Sequence, residues 1–350
     1  MKILKICVGA DIEKDPVSSD EHYLEAESFT KFKKCFYFKK DVINQISQVN
    51  SLKNLGLDVV FGFLSLRRYP WSLLKFGLRL KDIIRKQRID LVHVSWGSTT
   101  ALVAVLFSSV PVVVSFCGSD LMGSVGLNGR KTFLGNISSW LSQISALGAK
   151  RIIVKSERLK ETLWPINRIK CSVIPNGVDF SVFNLMDKEE ARSKLGWSSK
   201  ARIIIFFPSG GAAVKDQPLA EKIITLVQVK IKDVQFKFVD NVPHEDLVYY
   251  YNAADLMLLT SYHEGSNNSL KEAMCCNLPI VSVNCGDARE RLEGVYNSWV
   301  EESREPDILS EKVLEILKIS CRSNGRTKIE CIDLNNISHR IKSVYEEVVR

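Results

Sequence analysis

The sequence predicts an α/β protein made of two doubly wound, parallel-sheet domains. Three observations carry that expectation. Short β-branched, apolar runs recur along the 350 residues, each followed by a helical pattern. Several of the runs are continuously apolar, as strands covered on both faces must be. They are also too many for one ordinary sheet, and the length favours two domains over one.

Met1 to Val8, MKILKICV, reads as the first strand, because it lacks the long apolar segment of a secretory leader. LDVVFGFL (Leu57–Leu64), IDLVHVSW (Ile89–Trp96), PVVVSF (Pro111–Phe116) and RIIVKS (Arg151–Ser156) continue the first half. RIIIFF (Arg202–Phe207), VQFKFV (Val234–Val239), DLMLLT (Asp255–Thr260) and PIVSV (Pro279–Val283) belong to the second. The most apolar stretch, Ala101 to Phe116, is broken by Ser108, Ser109 and Pro111. It falls short of the roughly 20 apolar residues of a spanning helix, and reads as a helix end, a turn and an interior strand. The joint is expected near CSVIPNGVDFSVFN, where Pro175-Asn176-Gly177 is turn chemistry. This gives domains at 1–172 and 173–333. Over 334–350, Ile337, Ile341, Val344, Tyr345 and Val348 fall at helical spacing. That segment should be an amphipathic helix packing back toward the N-terminal domain.

Nine cysteines lack paired metal spacing, and with no leader they suggest a reduced, cytoplasmic compartment. The net charge of +8 is uneven: residues 1–170 carry 26 basic and 14 acidic side chains, the remainder 22 and 26. The excess suits a surface facing something anionic, or a plain solvated face. Its densest part, FTKFKKCFYFKK, interleaves aromatics with Lys31, Lys33, Lys34, Lys39 and Lys40; LRRYPW and RLKDIIRKQR add cations. Such a surface fits peripheral contact with an anionic membrane. No nucleic-acid motif accompanies it.

The chemistry concentrates in SYHEGSNNSLKEAMCCNLPIVSV, read as loop, helix and strand. Glu264 lies in the loop and Glu272 in the helix. Gly265, Ser266, Asn267, Asn268 and Ser269 are small, so a ligand can approach the backbone. A helix start offers free N–H groups suited to a diphosphate. Carboxylates on either side accept hydrogen bonds from sugar hydroxyls. A nucleotide-sugar has that layout. The plain alternative is a capping box, with Ser269 at the N-cap and Glu272 three residues on.

The whole unit through Leu292 resembles the signature of family 4 glycosyltransferases, retaining enzymes of the GT-B fold. IDLVHVSWG, VPVVVSFCGSDL, AKRIIVKSERLKETL and VIPNGVDFSVFN resemble further segments in the same order. The resemblance implies two Rossmann-like domains facing a cleft. It implies that Glu264 contacts the donor sugar, that Glu272 holds the ribose, and that Gly265 to Ser269 meet the diphosphate. Lys215 matches the family's cation on the leaving diphosphate. No cofactor or metal is implied, the nucleotide-sugar being the donor substrate. The family analogy suggests a lipid-linked glycan acceptor in surface-polysaccharide synthesis, at the inner face of the cell membrane.

The chain departs from the family pattern at two points. No arginine accompanies Lys215, and Gly210-Gly211 stand in that loop, where their N–H groups could form a nest. Cys117 replaces a frequent histidine beside Gly118 and Asp120, which are expected at the cleft edge. The second reading is therefore a glycosyltransferase-like binding or partner protein with little turnover. Nucleotide-sugar epimerases share the fold, but the spacing of Glu264 and Glu272 argues against them. His93 alone reads as a satisfied core histidine.

Overall fold

The computed structural model describes residues 1–8, 40–64, 70–126, 129–208 and 212–350. The basic-aromatic segment up to residue 39, most of LRRYPW, and Gly210-Gly211 lie outside the described residues. The chain divides into two compact units, one of 1–124, 131–177 and 334–350, the other of 125–130 and 178–333.

The first unit runs β1 (Lys2–Val8), α1 (Lys40–Asn54), β2 (Asp58–Leu64), α2 (Pro70–Gln87), β3 (Leu91–Ser95), α3 (Ser98–Phe107) and β4 (Val112–Phe116). It continues with α4 (Ser119–Met122), α5 (Phe133–Gly148), β5 (Arg151–Val154), α6 (Glu157–Glu161), α7 (Pro165–Arg168) and β6 (Cys171–Val173). Its six strands are parallel, in the order β2-β1-β3-β4-β5-β6. Because β6 pairs with β5, this unit extends through Gly177, beyond the expected division at 172.

The second unit holds α8 (Lys188–Leu195), β7 (Arg202–Phe206), α9 (Ala212–Lys215), α10 (Gln217–Lys230), β8 (Val234–Phe238), α11 (Leu247–Ala253) and β9 (Leu256–Leu259). There follow α12 (Asn268–Cys275), β10 (Ile280–Val283), α13 (Ala288–Leu292), β11 (Trp299–Glu301), α14 (Pro306–Ile319) and α15 (Gly325–Lys328). Its five parallel strands have the order β11-β10-β9-β7-β8. Helix α16 (Leu334–Val349) then returns to the first unit, burying Ile337, Ile341, Val344, Tyr345 and Val348. Each predicted strand run falls on an observed strand. The three-residue strands β6 and β11 were not expected, since CSV and WVE carry no strand pattern of their own.

The two faces of the first sheet differ. Leu4, Ile6, Val92, Val94, Val112, Val114, Ile152 and Val154 pack with α2, α3 and α5 in one apolar cluster. On the other face the register aligns Lys5 with His93, and Cys7, Ser95 and Ser115 with one another. Lys5 Nζ donates to Gln48 Oε1 at 2.6 Å. His93 bonds Ser115 Oγ at 2.7 Å through Nε2 and the Tyr345 hydroxyl through Nδ1. Burial, then the charges of Lys5 and Lys155, hold its pKa well below the usual range, so it is a neutral core histidine. Burial also brings the Lys5 amine down to about 8. Among the described residues no helix is long and apolar enough to cross a membrane.

Candidate functional site

Open parallel sheets offer ligands the carboxyl ends of their strands. In the second unit those ends bring together three distant segments, after β7, β9 and β10. Glu264 lies in the loop after β9 and Lys215 at the end of α9. Lys215 Nζ donates to Glu264 Oε1 at 2.6 Å, and Ser261 Oγ and Asn267 Nδ2 reach the same oxygen at 2.9 and 3.1 Å. Burial alone pushes the Glu264 carboxyl up. The Lys215 charge and the three hydrogen bonds outweigh it and hold the group below the usual carboxylate range. Glu264 is therefore an ionised acceptor fixed in direction. Gly286, at φ +56°, lies against it: a Cβ there would come within 3.0 Å of the Glu264 Cβ.

Lys215 is positioned by its backbone. Thr260 Oγ1 donates to the carbonyl oxygens of Lys215 and Asp216 at 2.7 and 3.1 Å. Asp216 turns the chain at φ +46°. Its carboxylate accepts from Arg304 Nη2 at 2.6 Å, and Arg304 also donates to the carbonyl oxygens of Thr260 (2.6 Å) and Ser261 (3.2 Å). The guanidinium lies 4.3 Å from the centre of the Tyr262 ring. Sequence reasoning missed Thr260 and Arg304. No local pattern marks them, because Arg304 acts across 88 positions of chain. Arg304→Ala should lower stability by about 1–3 kcal/mol, the range for hydrogen bonds to charged groups discounted for exposure. Calorimetric melting checks this, and an unchanged transition would make the clasp incidental.

Helix α12 corrects the capping-box alternative. Its N-cap is Asn267, whose side chain accepts from Leu270 N at 3.0 Å, so Ser269 already lies inside the first turn. Glu272 lies beyond that turn, 1 % exposed, and accepts from the Tyr251 hydroxyl at 2.7 Å. His244 Nε2 is 3.5 Å from its other oxygen. Burial and then the Glu272 charge raise the Tyr251 pKa well above its ordinary value, so the phenol stays a donor. Phe207 and Phe183 pack on Tyr251 with ring centres 5.2 and 5.9 Å away. A small pocket lined by Phe206, Phe207, Lys215, Asn267 and Ser269 opens between β7 and the α12 start.

In the small-residue loop, Gly265, Ser266, Asn267 and Ser269 are buried and Asn268 is half-buried. Ser266 Oγ donates to Asp287 Oδ2 at 2.7 Å, and Arg291 Nε meets the same oxygen at 3.0 Å.

Gly118 and Asp120 lie in the other unit. Asp120, expected at the cleft edge, is buried and turns its carboxylate on the backbone. It accepts from Gly97, Cys117, Gly118 and Leu121 N–H groups at 2.8–3.1 Å. Gly118 has φ +149°, and in the neighbouring loop Trp96 and Ser98 have φ +123° and +60°. Side chains rarely adopt such angles, and they persist where surrounding bonds over-determine them.

Residues 44–182 match the model "Glycosyltransferase Family 4", and residues 209–318 match "Glycosyl transferases group 1". The uncharacterized glycosyltransferase MJ1178 of Methanocaldococcus jannaschii is 23% identical over 291 residues, 77% of this chain and 78% of that protein. The UDP-Gal:alpha-D-GlcNAc-diphosphoundecaprenol alpha-1,3-galactosyltransferase of Escherichia coli is 23% identical over 320 residues, 79% of this chain and 80% of that one. Anabaena HepE, solved with UDP and glucose, shares the fold at a TM-score of 0.67 and 16% identity, covering 99% of this chain and 100% of that one. Two family models in sequence over two parallel-sheet units leave one assignment: the chain belongs to the group 1 glycosyltransferases of family 4 and has the GT-B fold.

Proposed function

We propose that this glycosyltransferase takes a sugar from a nucleotide-sugar and transfers it, with retention and without a metal ion, to a hydroxyl of a lipid-linked glycan in surface-polysaccharide synthesis. The work would be done at the cytoplasmic face of a membrane. The observation that carries the reading is the Lys215–Glu264 pair beside the Asn267-capped helix start. A fixed carboxylate suits sugar hydroxyls, and the adjacent ammonium suits the diphosphate oxygens that gain charge as the bond breaks. Glu272, backed by Tyr251, would take the ribose. The loop from Gly265 to Ser269 would lie along the diphosphate. Asp120 and Gly118 would act by holding the loops of the first unit. UDP is the first nucleotide to try, because HepE was solved with it and the Escherichia coli relative is named for UDP-Gal and a diphosphoundecaprenol acceptor.

A thermal-shift series of nucleoside diphosphates and their sugars tests donor binding. Ligand at 100 times its dissociation constant stabilises by about 2.7 kcal/mol. Glu272→Ala should weaken UDP binding about tenfold to a hundredfold, as loss of a charged hydrogen bond predicts. Glu264→Ala should spare UDP and cut transfer. Equal UDP affinity in wild type and Glu272→Ala would leave Glu272 a purely structural partner of Tyr251.

The second reading, a binding protein with little turnover, is favoured by the missing arginine and by Cys117. Tight donor binding with no hydrolysis or transfer from any nucleotide-sugar, with chelator present or absent, would select it.

A further inference from the structure

Helix α5 is built inside out. Its buried side carries Gly135, Ser142, Gln143, Ser145 and Ala146. Phe133, Leu134 and Trp140 are 78, 75 and 64 % exposed, and Ile137, Ile144 and Leu147 are exposed with them. None of its sixteen residues is charged. A helix solvated on its outer face is expected to carry charges there and apolar residues within.

The inward serines explain half of this. Ser142 Oγ donates to the Asp120 carbonyl at 2.6 Å, and Gln143 Nε2 to the Thr162 carbonyl at 2.8 Å. The helix also packs very closely: a Cβ at Gly148 would meet Val105 at 2.2 Å. Small polar residues therefore dock α5. They do not explain six large apolar side chains on the side away from the core.

Neighbouring α7 extends the apolar face. Ile166 is 62 % exposed and Ile169, just past the helix, 84 %, while Trp164 meets Trp140 edge-on at 5.5 Å between ring centres. Cations frame it. Lys131 precedes α5, and Lys170 Nζ donates to the carbonyls of Leu147 and Ala149 at its far end, both at 2.7 Å. From 131 to 172 the chain has eight basic and two acidic side chains; Lys155 is buried and Arg151 pairs with Glu347, which leaves six basic side chains against two acidic.

We infer that the outer face of α5 and α7 lies on an anionic membrane surface. An uncharged apolar stripe with a central tryptophan inserts at the headgroup boundary, and flanking cations meet lipid phosphates. A second copy fits less well, because a paired face would set like cations against one another. The inference goes beyond the transfer reaction and does not depend on it, since it is measured without donor or acceptor.

The test is co-sedimentation of the full chain with vesicles of phosphatidylcholine alone, or with phosphatidylglycerol in equal part. Wild type should bind the anionic vesicles preferentially, with binding falling as salt rises. Brominated acyl chains should quench part of its tryptophan fluorescence. Trp140→Ser should weaken binding about tenfold or more, in proportion to the apolar surface removed, and remove most of the quenching. The double change Ile166→Ser, Ile169→Ser, on exposed positions, should also weaken binding without altering melting. Indifference to lipid charge, or wild-type binding by both variants, overturns the inference. So does a wild-type dimer in sedimentation velocity that Trp140→Ser dissolves, which would assign the face to a second copy.

Discussion

Lys215→Ala should reduce sugar transfer at saturating donor by about a hundredfold or more, the usual effect of removing one preorganised electrostatic contact. Lys215 lies against Glu264 at 2.6 Å, so the substitution strips charge from two places at once. On the proposed reading the leaving diphosphate would lose its ammonium, and Glu264 becomes a largely buried carboxylate without its counter-charge. In the native protein the Glu264 pKa is lowered on folding. Its ionised form therefore contributes stability above the ordinary carboxylate pKa, and that contribution is lost as pH falls through the lower folded value. Without Lys215 burial dominates, the folded pKa rises, and the acid limb of the pH–rate profile should move to higher pH. A limb that stayed in place would mean that Lys215 does not set the ionisation of Glu264. A rate near wild type would mean that the diphosphate binds elsewhere.

Asp120→Ala should be the most destabilising single change in the first unit, by about 3–5 kcal/mol, because it orphans several buried N–H groups at once. The carboxylate joins the loop after β3, through Gly97, to the loop after β4, through Cys117 and Gly118. With it gone, Trp96 and Ser98 should relax from their positive φ, and amide exchange should quicken in both loops before the strands are affected. Exchange confined to the global unfolding rate would deny the staple its local role.

Strands covered on both faces must be apolar at successive positions, so β3, β4, β7 and β9 were legible in the sequence. The register of Glu264 and Glu272 was legible because both lie on one strand–loop–helix unit. What stayed hidden depends on chain segments far apart. Arg304 gives no local sign of its contact with Asp216, and Tyr251 none of its bond to Glu272. The S-x-x-E spacing at Ser269 suggested a cap, but Asn267 captured Leu270 N first. The backbone role of Asp120 was hidden for a physical reason: a carboxylate just after a strand and a glycine serves a ligand or a loop's own N–H groups with the same residues. Helix α5 would mislead any periodicity argument, since a stripe at that spacing is normally assigned to the core.

The polar face of the first sheet has a consequence for how the chain is made. Its cover is shared by α1 and α16, and α16 supplies the Tyr345 hydroxyl that His93 bonds. The ribosome completes β6 and then must synthesise all of 178–333 before that cover exists. At cellular elongation rates this is on the order of ten seconds or more. Through that interval Lys5, His93 and the serines beside them lack half their roof, while the apolar face is already closed by α2, α3 and α5. The nascent first unit can therefore collapse early but cannot lock. Its final cooperativity arrives with α16, after the second unit has emerged.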